Sequence, residues 1–171
     1  MHYIYCPKCG SLLSSRKAGD DGLVPYCEDC KKFWFDTFAS CVIVLVYNEY
    51  DEVVLCRQSY LSDKYATITS GYITPGETAE EAAVREVKEE LGIDISNLEY
   101  GGTYWFGAND MLMYAFMGYT KKCEFTLSEE VDKALWIPAK EAEKYMFPDS
   151  PGNASVGVLK RFLSKRYGVM K

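Results

Sequence analysis

The sequence predicts an α/β protein in which a mixed β-sheet packs between helices, preceded by a small cysteine-rich segment. Three observations support this prediction: β-branched apolar runs alternate with amphipathic stretches, two Cys-x-x-Cys pairs lie near the N-terminus, and one stretch carries both a helix start and a helix stop signal. A chain of 171 residues with 48% hydrophobic content supports one sizeable core with a small appendage. We therefore expect two domains, residues 1–36 and residues 37–171.

The composition narrows the class of function. A net charge of −6 argues against a broadly basic nucleic-acid surface. Because no run of about 18 apolar residues occurs and the first residues lack a charged and then apolar leader, we expect a cytoplasmic protein with no membrane partner. The one histidine is His2, near a terminus that we expect to be mobile, so catalytic triads that need a histidine base are disfavoured.

Two Cys-x-x-Cys pairs mark residues 1–36, Cys6 with Cys9 and Cys27 with Cys30. Seventeen residues separate the pairs, which lies within the spacing of about 15–20 residues typical of four-cysteine zinc sites. Four thiolates complete a tetrahedral site, so we expect a structural Zn²⁺ that stabilises a segment too short to bury a core. Two disulfides are the alternative, which a reducing cytosol disfavours. Residues 1–36 are thus a predicted zinc ribbon.

Other residues of this segment leave a second role open. Five basic residues could contact nucleic acid: Lys8, Arg16, Lys17, Lys31 and Lys32. Three aromatic residues could stack on bases or pack against the rest of the chain: Phe33, Trp34 and Phe35. The three remaining cysteines, Cys41, Cys56 and Cys123, lie in apolar or strand-like contexts, where we expect buried, inert thiols.

The region after residue 36 alternates between predicted strands and helices. Five runs rich in β-branched and aromatic residues are predicted strands: Cys41–Tyr47, Glu52–Cys56, Leu98–Phe106, Met111–Tyr119 and Ala134–Ile137. The first two form a predicted hairpin around a turn at residues 48–51, and residues 107–110 form the turn between the third and fourth. A helix is predicted over Ala139–Met146. Another follows the capping residue Asn153, with apolar residues at helical spacing: Val156, Leu159, Phe162 and Leu163.

Thr78–Gly92 is the best-defined helix of the sequence. Thr78 with Glu81 three residues later predicts a capping box, and Gly92 is a stop signal. At about 100° per residue, one face of this helix carries an apolar stripe formed by Ala83, Val84, Val87 and Leu91. A neighbouring arc carries three acids, Glu86, Glu89 and Glu90. Like charges at these spacings repel by roughly 0.2–0.5 kcal/mol per pair, and a divalent cation would turn that repulsion into a binding site. The alternative is a solvated acidic face.

The residues before this helix favour the cation site. Gly71 begins a glycine-rich turn that ends in Glu77, and the run from Arg85 to Ile93 follows after seven further residues. This order resembles the Nudix box, whose pattern is a glycine, five free positions, a glutamate, seven free positions and then Arg-Glu-apolar-any-Glu-Glu-any-Gly-apolar. All nine specified positions are filled over 23 residues, a specific signal. The resemblance implies a Nudix-type α/β/α sandwich and a hydrolase of phosphorus-containing anhydrides.

The resemblance also implies roles for individual residues. It makes Glu86, Glu89 and Glu90 ligands of a catalytic Mg²⁺ or Mn²⁺, joined by the carbonyl of Gly71. Arg85 orients the glutamates, paired with Glu77. Bound divalent metals can activate water and neutralise phosphate oxygens, which hydrolysis of a diphosphate requires. Without a usable histidine, either Glu89 or Glu90 is expected to accept the proton.

A zinc ribbon followed by a Nudix domain is similar to the NADH pyrophosphatase family, which splits NAD(H) and in some members removes an NAD cap from the 5′ end of RNA. That family carries a further metal-ligand glutamate, matched here by Glu130 before Trp136, with Glu129 as the fallback. Its Ser-Gln-Pro-Trp-Pro-Phe-Pro array is replaced by residues 102–110, where only the tryptophan survives. ADP-ribose or a nucleotide sugar is therefore an alternative substrate, and a non-catalytic nucleotide-sensing or RNA-binding module is an alternative function.

Aromatic residues raise two further expectations. Tyr104, Trp105 and Phe106 could stack on a substrate ring or belong to the core. The family forms homodimers, and aromatic residues around a ribbon too small to bury them favour a second subunit here as well: Tyr3, Tyr5, Phe33, Trp34 and Phe35.

Overall fold

The computed structural model describes residues 3–168, so His2 lies outside the described residues. The chain divides into two compact units, Met1–Phe38 and Ala39–Lys171. Among the described residues, none of the helices is long and apolar enough to cross a membrane.

The first unit is a small antiparallel sheet of three strands, β1 (Ser14–Lys17), β2 (Leu23–Cys27) and β3 (Lys32–Phe33), in the order β1-β2-β3. Its buried apolar side chains come from β2 and from the first cysteine pair, with Val24, Tyr26, Cys27 and Cys6 below 10% exposure. So few buried side chains supply little hydrophobic stabilisation, as expected for a segment that depends on a metal.

The second unit is built on six strands. Their bounds are β4 (Ala39–Tyr47), β5 (Glu52–Arg57), β6 (Thr69–Tyr72), β7 (Ser96–Phe106), β8 (Met111–Tyr119) and β9 (Lys133–Pro138). The strand order is β7-β8-β4-β5-β9, and β6 pairs with β4. The pairing of β4 with β8 is parallel and the others are antiparallel, so the sheet is mixed as predicted.

Three helices complete this unit: α1 (Ala79–Leu91), the short α2 (Ala139–Ala142) and α3 (Ala154–Tyr167). Alternation along β4 separates two cores. Val42, Val44 and Val46 pack with α1 on one face, whereas Ile43 and Leu45 pack with α3 on the other. The predicted α/β sandwich is confirmed, and α1 has one face of the sheet as its support.

Several local predictions need correction. The helix predicted over residues 139–146 is only α2 followed by a 3₁₀ turn, Glu143–Tyr145. Val84 is 42% exposed and Ala82 is buried in its place, because the sheet meets α1 on the side of Ala82, Ala83 and Val87. The Cys123 thiol is exposed, whereas Cys41 and Cys56 are buried as predicted.

Two features of the sheet differ from the sequence prediction because they depend on pairing with distant strands. Strand β6, Thr-Ser-Gly-Tyr, has no apolar run and exists through its register with residues 41–44 of β4. The predicted β4–β5 hairpin pairs only at Tyr47 with Val53, because most of β4 is used by β6 and β8.

Candidate active site

Helix α1 has the capping that its sequence predicts. The Thr78 side chain accepts a hydrogen bond from the Glu81 backbone N–H (3.2 Å), and the Glu81 carboxylate accepts one from the Thr78 backbone N–H (2.8 Å). Gly92 ends the helix in the left-handed region, at φ 71°. A Cβ on Gly92 would lie 2.9 Å from the backbone oxygen of Thr126, so this glycine also admits a neighbouring segment.

Arg85 connects the glycine-rich loop to the acidic face of α1. Its Nε and Nη2 atoms donate to the two carboxylate oxygens of Glu77, at 2.7 and 3.0 Å. Its Nη1 atom donates to Glu86 at 2.7 Å and to Glu89 at 2.8 Å. Hydrogen bonding to Arg85 lowers the pKa of Glu77 to about 2, so that this carboxylate is charged at neutral pH. One guanidinium therefore fixes three carboxylates, which a lysine could not do.

A backbone carbonyl at the end of β6 completes the hydrogen bonding of this arginine. Nη2 of Arg85 also donates to the backbone oxygen of Tyr72 at 3.0 Å, and Glu77 accepts hydrogen bonds from the N–H and the hydroxyl of Thr74, both at 3.0 Å. Tyr72 and Thr74 were not singled out from the sequence, because Tyr72 contributes a main-chain atom and the position of Thr74 is fixed only by the turn.

Gly71 lies directly under the Glu86 carboxyl group. A Cβ on Gly71 would meet Cδ of Glu86 at 2.0 Å, which no real side chain allows. The two residues are in contact because β6 runs beside α1. The backbone of Gly71 and the Glu86 carboxylate therefore pack directly against each other.

Glu90 is the buried member of the acidic group. Only 4% of its surface is exposed, and its Oε2 atom is buried without a hydrogen-bond partner among the described residues. Burial, and then the charge of Glu86, raise the pKa of Glu90 to about 7, whereas the Thr69 hydroxyl opposes the rise. The alternative of a solvated acidic face does not hold for Glu90, since this side of α1 meets β6. Glu89 is exposed, with 59% of its side chain accessible.

The turn that carries Glu130 is attached to the end of α1. The N–H of Ser128 donates to the Glu90 carbonyl at 3.1 Å, and the N–H of Thr126 donates to the Leu91 carbonyl at 2.9 Å. The charge of Glu130 contributes to the raised pKa of both Glu86 and Glu90. Glu130 is therefore electrostatically coupled to the acidic group although it lies about 40 residues away in the chain.

These residues fit a hard divalent cation. A buried carboxylate oxygen without a donor and a half-buried carboxylate packed against Gly71 are oxygen ligands of the kind that Mg²⁺ and Mn²⁺ prefer. Glu86, Glu89, Glu90, Glu130 and the Gly71 carbonyl are the groups that would hold it.

The three predicted substrate aromatics differ in position. The Tyr104 ring packs against α3, where a Cβ on Gly157 would meet it at 2.4 Å, and it belongs to the α3 side of the core. Trp105 lies at the end of β7 with 48% of its surface exposed, and Phe106 is half-buried. Of the three, Trp105 has the most exposed surface.

The four predicted zinc ligands lie together in the first unit. The sulfur atoms of Cys6, Cys9, Cys27 and Cys30 all lie within 4.8 Å of one another, with Cys6–Cys30 at 3.8 Å and Cys9–Cys27 at 3.5 Å, and all four thiols are free. A tetrahedral zinc site with Zn–S bonds of about 2.3 Å places sulfurs about 3.8 Å apart. Zinc-binding geometry is therefore present, whereas the alternative of two disulfides is absent from the described residues.

The positive charge of this unit is partly neutralised. Arg16 and Lys31 both pair with Glu28, at 3.3 and 3.8 Å, and Arg16 also lies over the Tyr26 ring. These pairs leave less free basic surface than the sequence suggests, which weakens the case for a nucleic-acid patch.

The family model for the NUDIX domain matches residues 37–156, a range that contains α1, Gly71 and all the acids of the site. The chain belongs to the NUDIX domain family.

Three curated proteins show sequence similarity to this chain. The NAD-capped RNA hydrolase NudC of Pseudomonas aeruginosa is 29% identical over 171 residues, covering 98% of this chain and 58% of its own length. The protein of the same name from Vibrio atlanticus is 30% identical over 137 residues, covering 78% and 48%. Nudix hydrolase 19 of Arabidopsis thaliana is 32% identical over 149 residues, covering 82% and 33%. The chain thus spans about half the length of these NudC relatives.

Solved structures support the NUDIX fold. A NUDIX hydrolase from Nitrosomonas europaea superposes with a TM-score of 0.75 at 16% identity, covering 97% of this chain and 94% of that one. The NUDIX domain of Shewanella oneidensis NrtR, solved with ADP ribose, gives a TM-score of 0.65 at 12% identity, covering 82% and 94%. At these identities the likeness concerns the fold alone.

Proposed function

We propose that this chain is a NUDIX hydrolase that uses Mg²⁺ or Mn²⁺ to cleave the pyrophosphate bond of a nucleoside diphosphate linked to another group. The observation that carries the proposal is the buried, unpartnered Oε2 atom of Glu90 on the same helix as the Arg85-bound carboxylates, one of which packs against Gly71. A protein that only recognised nucleotides would have no need of this electrostatic strain.

The metal would neutralise phosphate oxygens and activate water. The chain's own residues have three tasks. Arg85 holds Glu77, Glu86 and Glu89 in one geometry, the turn that carries Glu130 keeps its charge near the end of α1, and Glu89 or Glu90 accepts the proton of the attacking water.

NAD(H) is the leading substrate in this proposal. The names of the bacterial relatives, NAD-capped RNA hydrolase, support an NAD-type group and make the 5′ end of RNA a candidate partner. ADP-ribose is the second candidate, since the similar NrtR domain was solved with it and the residues after β7 depart from the array of the NADH pyrophosphatase family. Trp105, with the most exposed surface, is the best placed of the three aromatics to stack on a substrate ring, while roles for Phe106 and the packed Tyr104 stay predictions.

Turnover of a substrate panel tests the function. NADH, NAD⁺, ADP-ribose and an NAD-capped RNA oligonucleotide are incubated with Mg²⁺ or Mn²⁺, and the products are separated by chromatography. We expect a nicotinamide mononucleotide and AMP from NADH, and no products with the Glu86→Gln variant. Tight nucleotide binding without turnover of any member would replace the hydrolase by a nucleotide sensor.

Structural zinc is the second part of the proposal, with Cys6, Cys9, Cys27 and Cys30 as the ligands in a ribbon of residues 1–36. The sulfur distances support it, and free thiols suit a reducing compartment such as the cytoplasm.

A homodimer is the third part. Exposed aromatic side chains of the first unit support it, including Tyr5 at 62% and Phe35 at 52% exposure. Light scattering should report about twice the chain mass of 19.4 kDa. A monomer with full activity would rule out a site shared between two subunits.

A further inference from the structure

A cavity lies on the face of the six-stranded sheet opposite α1. It has a volume of about 270 Å³ and is formed by β5, β9 and the segments around Ala66 and Tyr145. Leu55, Leu135 and Ile137 supply its apolar lining. This volume is close to the lower end of the range of about 300–1,000 Å³ that small-molecule sites occupy.

The cavity is separate from the glutamates of α1. Leu55 and Ile137 belong to the α3 side of the core, whereas Val54 and Cys56, which alternate with Leu55 along β5, pack on the α1 side. None of the lining residues is a predicted ligand of the catalytic metal. The sheet itself therefore stands between the two sites.

Two cations share one end of this cavity. Arg57 and Lys133 are directly opposite each other in the antiparallel register of β5 and β9, and both line the cavity. Like charges in this relation repel. Neither side chain forms an ion pair or hydrogen bond with any of residues 3–168, although the chain carries 25 acidic residues against 19 Lys and Arg. An anion placed between them would remove the repulsion and gain two charge-assisted contacts.

The remaining lining decides what kind of anion fits. Among residues 3–168, the Tyr145 hydroxyl is the only polar side-chain group besides Arg57 and Lys133 that lines the cavity. A nucleobase would leave its hydrogen-bonding edges without partners there, which is costly. A hydrocarbon group would lose no hydrogen bonds in this cavity. It would also bury the side chain of Leu135, which is 45% exposed.

We propose that this cavity binds a small amphipathic organic acid, with its apolar ring body against Leu55, Leu135 and Tyr145 and its carboxylate between Arg57 and Lys133. The proposal is independent of the hydrolase activity, because it uses the opposite face of the sheet.

Titration with 2-naphthoate tests the site, with the neutral 2-naphthamide as the matched ligand. Binding is followed by ¹H–¹⁵N NMR of the full chain. We expect the acid to shift the amide signals of β5 and β9, and the amide to bind at least about fivefold more weakly because it lacks the charge. Arg57→Gln and Lys133→Gln should each weaken binding of the acid about fivefold or more. Lys121→Gln, two residues beyond the end of β8 and outside the cavity lining, is the matched control and should bind like the wild type.

Four results would overturn the proposal. The first is equal binding of acid and amide, and the second is unchanged binding by both the Arg57 and the Lys133 variants when their melting temperatures match the wild type. The third is a pattern of shifts centred on α1 or produced equally by AMP, which would assign the binding to the nucleotide site. Dimer formation through Leu135 is checked by light scattering of the same samples, and protection of this cavity in a dimer would also refute a free ligand site.

Discussion

Gly71 lies so close to the Glu86 carboxyl group that it cannot carry a side chain: a Cβ on Gly71 would lie 2.0 Å from Cδ of Glu86. The glycine is needed for this contact and not for a left-handed backbone, since its φ is not in the positive region. Strand β6 and helix α1 are therefore fitted to each other at the acidic group.

Gly71→Ala should remove most activity by displacing the Glu86 carboxylate. We expect turnover to fall about 10–100-fold, since small misplacements of a catalytic group have effects of this size, and stability to fall by about 1–3 kcal/mol from the clash. The matched control is Ser70→Ala, at the preceding position of β6, which introduces no new side-chain atom. Equal activity of both variants in the NADH assay would remove Gly71 from the site.

Glu90→Gln should lower turnover and raise stability together. The carboxylate is buried with one oxygen unpartnered, so a neutral amide of the same shape removes the cost of desolvating a charge. We expect at least about a 100-fold loss of turnover and, in metal-free buffer, a melting temperature about 2–4 °C higher. Glu80→Gln, at an exposed position of the first turn, is the control with neither effect. A destabilised Glu90 variant would contradict the argument from burial.

Arg85→Lys should fail to preserve the site although it keeps the charge. Lysine cannot hold both oxygens of Glu77 and also reach Glu86 and Glu89, whereas the guanidinium does. We expect a loss of about 10–100-fold in kcat with an unchanged circular dichroism spectrum. Lys88→Arg, on the same helix and paired with the exposed Asp94, is the control with wild-type kcat.

Glu52 should give a measurable pH dependence of stability. Hydrogen bonds from Lys122 and from Asn48, at 2.9 and 2.8 Å, lower its pKa below the usual value. A lowered carboxyl pKa stabilises the folded state above the ordinary pKa of about 4.5, and this contribution is lost as the pH falls through the folded value. Glu52→Gln should therefore cost about 1 kcal/mol at pH 7, reduced by the partial exposure of Lys122, and progressively less below pH about 4.5. Urea unfolding of the wild type and of Glu52→Gln at pH values from 7 downwards measures the difference in their free energies of unfolding. A difference that does not change with pH would contradict the prediction.

Zinc removal should affect the first unit selectively. We expect about one zinc per chain by elemental analysis, retained in the presence of excess Mg²⁺ because thiolates are soft ligands. Cys27→Ser should lose the zinc, while Cys123→Ser, which alters an exposed thiol outside the cluster, should keep it. A chain with no zinc, or a Cys123 variant that loses it, would refute the ribbon.

Local signals predicted much of this structure. Capping residues predicted α1 and α3, β-branched runs predicted five strands, and the cysteine spacing predicted a cluster that the structure assembles. Each depends on neighbours in sequence, which is why the sequence was sufficient.

Positions that depend on distant segments were not predictable. The burial of Glu90 results from β6, a strand without an apolar run, and the exposure of Val84 results from the direction from which the sheet meets α1. The cavity with Arg57 and Lys133 exists because the register of β5 and β9 brings together two cations that are separated by 75 intervening residues.

Gly92 limits which substitutions the end of α1 can accept. Asparagine is the usual replacement for glycine at a left-handed helix end, and φ alone would allow it here. Its Cβ would still lie 2.9 Å from a main-chain oxygen of Thr126, and that oxygen belongs to the segment that leads to Glu130. A library that varies this position should therefore return glycine alone, whereas selection for backbone conformation only would return asparagine as well.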